Sequence, residues 1–218
     1  MMQTTIDGAT RNATGAVKIA LRGAAGSGKD YLVDYLRARG DKVIRAAYAD
    51  YLKITFGRAL MQHMGAPGEI FLYGDGAVIA WVNEHKGIPE VRSFLQNAGE
   101  SVIQLTGDEC YWAEQAKQRT YGKYLDDPSY TVVITDCRKL PEAEHARKDG
   151  FLIVTIQRTD GAVGAGITAG NAQHRSETEG ALIVPDITIE NDGTANYHAE
   201  IERMLTAARR FDGERFVL

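Results

Sequence analysis

Lys29 closes the run Gly23-Ala24-Ala25-Gly26-Ser27-Gly28-Lys29, and Asp30 follows it directly. Glycines at this spacing let backbone N–H groups turn inward around phosphate oxygens. A lysine at the mouth of a helix adds a positive charge within reach of β- and γ-phosphates. An ordinary glycine-rich turn has no use for that lysine, so the ligand that fits is a nucleoside triphosphate. Asp30 stands where the general pattern carries a Ser or Thr hydroxyl that binds Mg²⁺. A carboxylate tolerates a neighbouring triphosphate when a cation lies between them, which makes Asp30 a candidate Mg²⁺ ligand, directly or through water. The plainer reading is an acid in a helix first turn, favoured by the helix dipole alone.

Further candidates lie where apolar runs end. Asp136 terminates Thr131-Val132-Val133-Ile134-Thr135, and a hydrophobic strand closed by an acid can help to hold Mg²⁺ or can simply cap the following turn. Arg138, two residues on, can clamp the phosphate of an acceptor or sit in a surface ion pair. Asp50, in Ala47-Tyr48-Ala49-Asp50-Tyr51-Leu52-Lys53, reads either as a helix cap or as a carboxylate near the acceptor phosphate or the water shell of the metal. Lys53, one turn later, can meet phosphate charge. A helix over 90–105 carries Val91, Leu95, Val102 and Leu105 as core positions. Arg92 and Gln96 share a face there, suited to a phosphate and a base edge or to a solvated stripe. Trp112 can stack on a base or belong to the core. The five histidines show no Ser-His-Asp spacing and no metal cluster, whereas phosphoryl transfer needs only positioning and charge neutralisation.

The elements that must position these residues alternate. Apolar runs at 17–21, 42–49, 130–135, 151–157 and 186–190 are separated by helical patterns, which implies an α/β fold on a parallel sheet. Ligands of such sheets bind at the carboxyl ends of the strands. Two stretches break the alternation. Residues 61–90, with Gly65-Ala66-Pro67-Gly68 and Gly74-Asp75-Gly76, read as a loop or small insertion before a helix starting near Pro89, within an acceptor-binding insertion over about 61–120. Residues 159–180 place Gly161, Gly164, Gly166 and Gly170 before Gln173-His174-Arg175-Ser176-Glu177, the composition of a mobile lid.

A chain of 218 residues fits one domain over 16–218 behind a poorly ordered leader at 1–15. A net charge of −4 with no long Lys/Arg run argues against tracking along nucleic acid or a membrane surface. No secretory pattern or bilayer-length apolar stretch is present, so the protein reads as cytoplasmic. Cys110 and Cys137 are too few and too scattered for a disulfide framework or a zinc site.

Several of these segments together resemble one family, the phage-type P-loop deoxynucleoside monophosphate kinases, which are related to phosphomevalonate kinase. The matching pieces are Gly26-Ser27-Gly28-Lys29-Asp30, Tyr48-Ala49-Asp50-Tyr51-Leu52-Lys53, Arg92 with Leu95-Gln96 and Gly99, and Gly107-Asp108 with Trp112. Val133-Ile134-Thr135-Asp136-Cys137-Arg138, His174 with Ser176-Glu177, and Asn191-Asp192-Gly193-Thr194 complete them. The resemblance implies a P-loop NTPase of the nucleoside monophosphate kinase-like type, a three-layer fold on a five-stranded parallel sheet with a mobile lid. It also implies transfer of the ATP γ-phosphate to a dNMP with Mg²⁺. Carried over residue by residue, Gly23, Ala25, Gly26, Ser27, Gly28, Lys29, Asp30 and Tyr31 would bind ATP phosphates and Mg²⁺. Asn191 and Gly193 would lie against adenine. Asp50, Lys53, Arg92, Gln96, Trp112 and Arg138 would form the acceptor side, and Arg158 and Arg175 would serve from the lid. Two departures stand out: Tyr31 occupies a position where many relatives carry Thr, and Tyr51 replaces a common Pro. A homodimer is compatible with the resemblance. Other acceptors, such as phosphomevalonate or hydroxymethylpyrimidines in phage DNA, and a non-catalytic ATP-binding switch, stay open.

Overall fold

The computed structural model describes residues 16–66, 69, 74–159, 180 and 182–211. The leader at 1–15, Arg175 and all but the ends of the expected lid lie outside those residues. Five strands, β1 (Val17–Arg22), β2 (Lys42–Ala46), β3 (Tyr130–Ile134), β4 (Leu152–Arg158) and β5 (Ile187–Asn191), form one all-parallel sheet in the order β2-β3-β1-β4-β5. Among the described residues seven α-helices accompany it: α1 (Lys29–Ala38), α2 (Tyr48–His63), α3 (Asp75–His85), α4 (Pro89–Thr106), α5 (Tyr111–Ala116), α6 (Leu140–Lys148) and α7 (Ala195–Ala208). A π-helical turn at Lys117–Tyr121 continues α5.

The unbroken apolar runs of the central strands follow from cover on both faces. Ile19 and Leu21 of β1, with Val133 of β3 and Leu152 and Val154 of β4, pack against Leu32, Val33 and Leu36 of α1 and Tyr197, Ile201 and Met204 of α7. Ala20, Val132, Ile134 and Ile153 face the other way, onto Ala113 and Ala116 of α5, Tyr121, and Ala143 and Ala146 of α6. The result is a sheet between two helical layers. Each large apolar side chain fully withdrawn from water there contributes about 1.5–3 kcal/mol before entropy is charged against it. No helix among the described residues is long and apolar enough to cross a membrane.

Three expectations change. The strand expected over 42–49 stops at Ala46, because Tyr48 opens α2 instead. The Asp136 carboxylate accepts the N–H groups of Tyr48 (2.7 Å) and Ala49 (3.0 Å), satisfying the donors that a helix start leaves orphaned. The stretch 61–90 holds a full helix, α3, whose Val78 and Val82 are buried against α2 at Gly57, where a Cβ would stand 2.5 Å from Val78 Cγ1. Gly74 and Gly87 beyond its ends and Gly76 in its first turn disguise it as loop. Leu105, expected in the core, is 86% exposed: the inner face of α4 runs through Val91, Gly99 and Ile103, and Leu105, two residues past Ile103, lies on the opposite side of the helix.

Candidate active site at the carboxyl edge of the sheet

All five strands point their carboxyl ends to one edge, and the central strand β1 delivers the glycine loop there. Gly23 (φ 142°), Gly26 (φ 75°) and Gly28 (φ 104°) take backbone conformations that L side chains rarely adopt. At two of them space is also lacking. A Cβ on Gly23 would stand 2.5 Å from Ile156 O, and one on Gly28 would stand 2.4 Å from Asn191 Nδ2. Gly28 is the left-handed residue that opens α1, so Lys29 is the first helical residue. The loop is braced from the neighbouring strands. Asn191, at the end of β5, donates Nδ2–H to Ser27 O (2.8 Å) and accepts Gly193 N–H (3.0 Å); Tyr197 OH donates to Gly28 O (3.1 Å). Arg158, at the end of β4, donates to Gly26 O (2.8 Å).

The Lys29 ammonium folds over the loop and donates to Gly23 O and Ala24 O, each at 2.7 Å, and to Ser27 Oγ at 3.2 Å. The charge thus sits on the loop it would serve. Ala25 and Gly26 form the exposed crest of that loop, whereas Ser27 is buried. Tyr31 points along the outside of α1. Its hydroxyl pairs with His198 Nε2 at 2.6 Å and its ring stacks on the same histidine, so the hydroxyl is held on the α7 side.

Asp30 is an open carboxylate, 86% exposed, with Arg45 Nε 4.0 Å away. Arg45, inside β2, is the residue that ties the loop to the first turn of α2: its Nη1 donates to Asp50 Oδ2 at 2.8 Å. Lys53 donates to the other oxygen of Asp50 at 2.9 Å. Asp50 therefore lies in the first turn of α2 between two cations, each at most about a third exposed.

Beyond Asp50 opens a cleft of about 770 Å³ lined by β2, α2, α3, α5 and the π-helical turn, including Arg45, Asp50, Tyr51, Asp75, Gln115 and Arg119. That size suits a nucleotide or a comparably small ligand. Trp112 lies behind it, buried. Its indole N–H donates to Gly99 O (3.2 Å), and its ring packs 6.1 Å from Tyr51 and 6.4 Å from Phe56, so it supports the wall while Tyr51 forms it.

A rim of positive charge gathers near the same edge. Lys86, at the end of α3, has its ammonium pKa lowered, first by burial and then by Lys53, Arg138 and Arg92, with Asp30 acting in the opposite sense. Lys86 thus lies within electrostatic range of three cations singled out in the sequence. Arg138 is exposed, and Arg92 and Gln96 on α4 are half-buried. Behind Arg138, the Glu142 carboxylate accepts the backbone N–H groups of Arg138 (2.8 Å) and Lys139 (3.0 Å). Burial, then the charge of Asp136, raises its pKa to about 7.

The residues present fit Mg²⁺ on the chemistry of their donors. Mg²⁺ is content with one or two carboxylates, substrate phosphates and several waters, and Asp30 offers a hard oxygen beside the loop. Among the described residues no cluster of three or more His, Cys, Asp or Glu side chains forms a self-sufficient metal cage. Asp136, the other metal candidate, has both oxygens engaged by the α2 N-terminus, so any cation there would use its remaining lone pairs.

The sequence does not flag Arg45, Lys86 or Arg119. An arginine within the short run Lys42-Val43-Ile44-Arg45-Ala46 was the available signal for the first. Lys86 sits beside glycine punctuation and Arg119 on an exposed helical stretch, and both acquire neighbours only through packing. No protein-family model matches the chain, and no curated protein matches it.

Proposed function

We propose that the protein is a Mg²⁺-dependent phosphotransferase of the nucleoside monophosphate kinase type, moving the ATP γ-phosphate to a deoxynucleoside monophosphate. The observation that carries this reading is the joining of two sites through Arg45. Its guanidinium lies 4.0 Å from Asp30, one residue past the phosphate loop, and 2.8 Å from Asp50 in the cleft. A hydrolase or switch needs the first site alone, whereas a transferase needs both, a few ångströms apart. The sheet order β2-β3-β1-β4-β5, with the loop leaving its central strand, supports a P-loop kinase topology.

In this mechanism the loop N–H groups and Lys29 hold the β- and γ-phosphates, with Lys29 exchanging its loop carbonyls for phosphate oxygens. Bound Mg²⁺, held from the Asp30 side, would neutralise charge on the transferring group. Lys53, Lys86, Arg92 and Arg138 hold the acceptor phosphate and offset its repulsion from the triphosphate. An acceptor phosphate oxygen attacks the γ-phosphorus in line, the bond from that phosphorus to the bridging oxygen breaks, and ADP departs with those electrons. Arg158, on the loop at Gly26 O, stands ready to stabilise the charge that develops.

The reading is tested by incubating the protein with ATP and Mg²⁺ against dNMPs, NMPs, phosphomevalonate and hydroxymethyluracil DNA, following ADP release and product mass. Transfer to one or more dNMPs is expected. ADP release without a phosphorylated product would overturn it in favour of a switch, and transfer only to phosphomevalonate or DNA would reassign the acceptor.

A further inference from the structure

We infer that Asp149, at the amino edge of the sheet and remote from the glycine loop, is a positioning residue for the cleft: it clamps the π-helical turn at Lys117–Tyr121 and so fixes where Arg119 and Thr120 stand in the cleft wall. The nucleotide character of the cleft's ligand rests on the kinase reading; the clamp does not.

Asp149 is placed against its own preferences. It caps the C-terminus of α6, where the helix dipole disfavours a negative charge, and its side chain is only 10% exposed. Helix α6 has no use for the carboxylate, because the cap is closed by the backbone N–H of the residue, which reaches His145 O and Ala146 O. The groups that offset the burial come from elsewhere. Lys117 Nζ donates to Asp149 Oδ1 at 2.5 Å, and Lys18 Nζ, from β1, donates to the Asp149 carbonyl at 3.0 Å. His145 Nδ1 lies 3.9 Å from Asp149 Oδ2, while His145 Nε2 pairs with Glu114 Oε2 of α5 at 3.1 Å. The carboxylate also acts on the buried Tyr121 hydroxyl, whose pKa is raised first by burial and then by the charge of Asp149.

The turn is gripped at both ends by the short segment that leads into β4. Its first residue, Lys117, holds Asp149 with its side chain and accepts the Gly122 N–H with its carbonyl, which closes the wide i to i+5 turn. A Cβ on Gly122 would stand 2.8 Å from that same oxygen. Its last residue, Tyr121, is fully buried and meets Phe151 edge-on, with ring centroids 5.4 Å apart. Gly150, between the two gripping residues, turns the chain sharply with φ at 80°.

The residues between those gripped ends are the ones that reach the cleft. Arg119 and Thr120 line it, and the Arg119 guanidinium carbon lies 4.3 Å from the Tyr51 ring centroid. A π-turn is a rare backbone state beside the regular helix, so an outside contact at its first residue decides whether it persists or relaxes and re-aims the side chains within it. Asp149 supplies that contact from the edge of the sheet opposite the glycine loop, and its loss would shift a cation along the cleft wall while leaving the loop as it is.

The test compares the full chain with Asp149→Asn, Lys117→Met and the double variant. Lys117 is 33% exposed, so Lys117→Met carries the test if Asp149→Asn does not fold. The first readout needs no ligand: amide hydrogen exchange over 117–122, and the Arg119 Nε–H resonance, which senses the Tyr51 ring. Each variant is expected to speed exchange in the turn about tenfold or more and to move the Arg119 resonance, with α1 and α7 unchanged. The double variant should be no worse than the more severe single one, because the two side chains share one contact. The second readout is transfer kinetics: the acceptor KM should rise about threefold to tenfold, with kcat and ATP affinity held within about twofold. Exchange that rises evenly across the sheet, an unmoved Arg119 resonance, additive effects of the two substitutions, or a loosened turn with an unchanged acceptor KM would overturn the inference. Absence of transfer in the parent would sink the kinase reading alone, since the exchange data and the Arg119 resonance still decide the clamp.

Discussion

The glycine loop and the cleft beyond Asp50 face the same sheet edge, yet they are built by opposite means. The loop is a contiguous run whose shape is set by three left-handed glycines and whose charge comes from the next residue, with Asn191, Tyr197 and Arg158 only bracing it from outside. The cleft is assembled from side chains of five separate elements, and its polar groups are arranged by pairing: Arg45 on Asp50, Arg58 on Asp75, Arg119 on Gln115 and Tyr51. Function encoded in backbone conformation fails abruptly when a residue changes. Function encoded in packed side chains fails by degrees and in a substrate-dependent way.

The loop should therefore give the largest effects. Lys29→Ala removes the one side-chain cation of the loop, and a loss of turnover of at least about a thousandfold is expected with the far-UV CD spectrum and thermal midpoint preserved. Near-normal turnover would break the comparison at its strongest point. Gly28→Ala meets both a left-handed φ and Asn191 Nδ2 at 2.4 Å from the new Cβ. ATP affinity should fall about tenfold to a hundredfold and stability by about 1–3 kcal/mol. Because the clash is with Asn191, the Gly28→Ala/Asn191→Ala pair should be clearly non-additive in a double-mutant cycle.

Effects on the acceptor side should be smaller and should spare ATP. Arg138→Ala is expected to raise the acceptor Michaelis constant about tenfold with ATP affinity unchanged. If ATP affinity falls instead, Arg138 belongs with the donor site. Gly122→Ala should tighten or displace the π-helical turn, shifting acceptor affinity about threefold to tenfold without touching ATP.

The same contrast decides what could be read beforehand. The five strands, the loop and the polar strand ends were legible, because continuous apolar runs and local glycine chemistry need no tertiary information. Helix α3 was not, since its boundary glycines mimic a loop and its two buried valines make sense only against Gly57. Asp136 was singled out as a strand-end acid, but that its oxygens would hold the start of α2 depends on β2 and β3 being neighbours. Trp112 was equally ambiguous: an indole looks the same in a sequence whether it faces a base or, as here, gives its N–H to Gly99 and supports Tyr51 from behind. The gathering of Lys86 with Lys53, Arg92 and Arg138 joins α2, α3, α4 and the β3 end, and no spacing along the chain announces it.

The smallest effect sharpens the boundary between site and scaffold. Glu142 lies behind Arg138, with a pKa raised to about 7 by burial and the nearby Asp136. A carboxyl whose pKa is higher folded than unfolded binds its proton more tightly in the native state. Its linkage with stability is therefore neutral below the unfolded value near 4.5, and stability declines as pH rises from there through about 7. Glu142→Gln keeps an oxygen that can accept from Arg138 N and Lys139 N while removing the ionisation. The variant should gain stability over the parent at pH 8, on the order of 1–3 kcal/mol, with the gain shrinking toward pH 5. Paired denaturant titrations at the two pH values measure it. A difference that stays constant with pH would mean that Glu142 does not ionise in this range. A large loss of acceptor affinity in the variant would move Glu142 from the scaffold of the strand-end loop into the site itself.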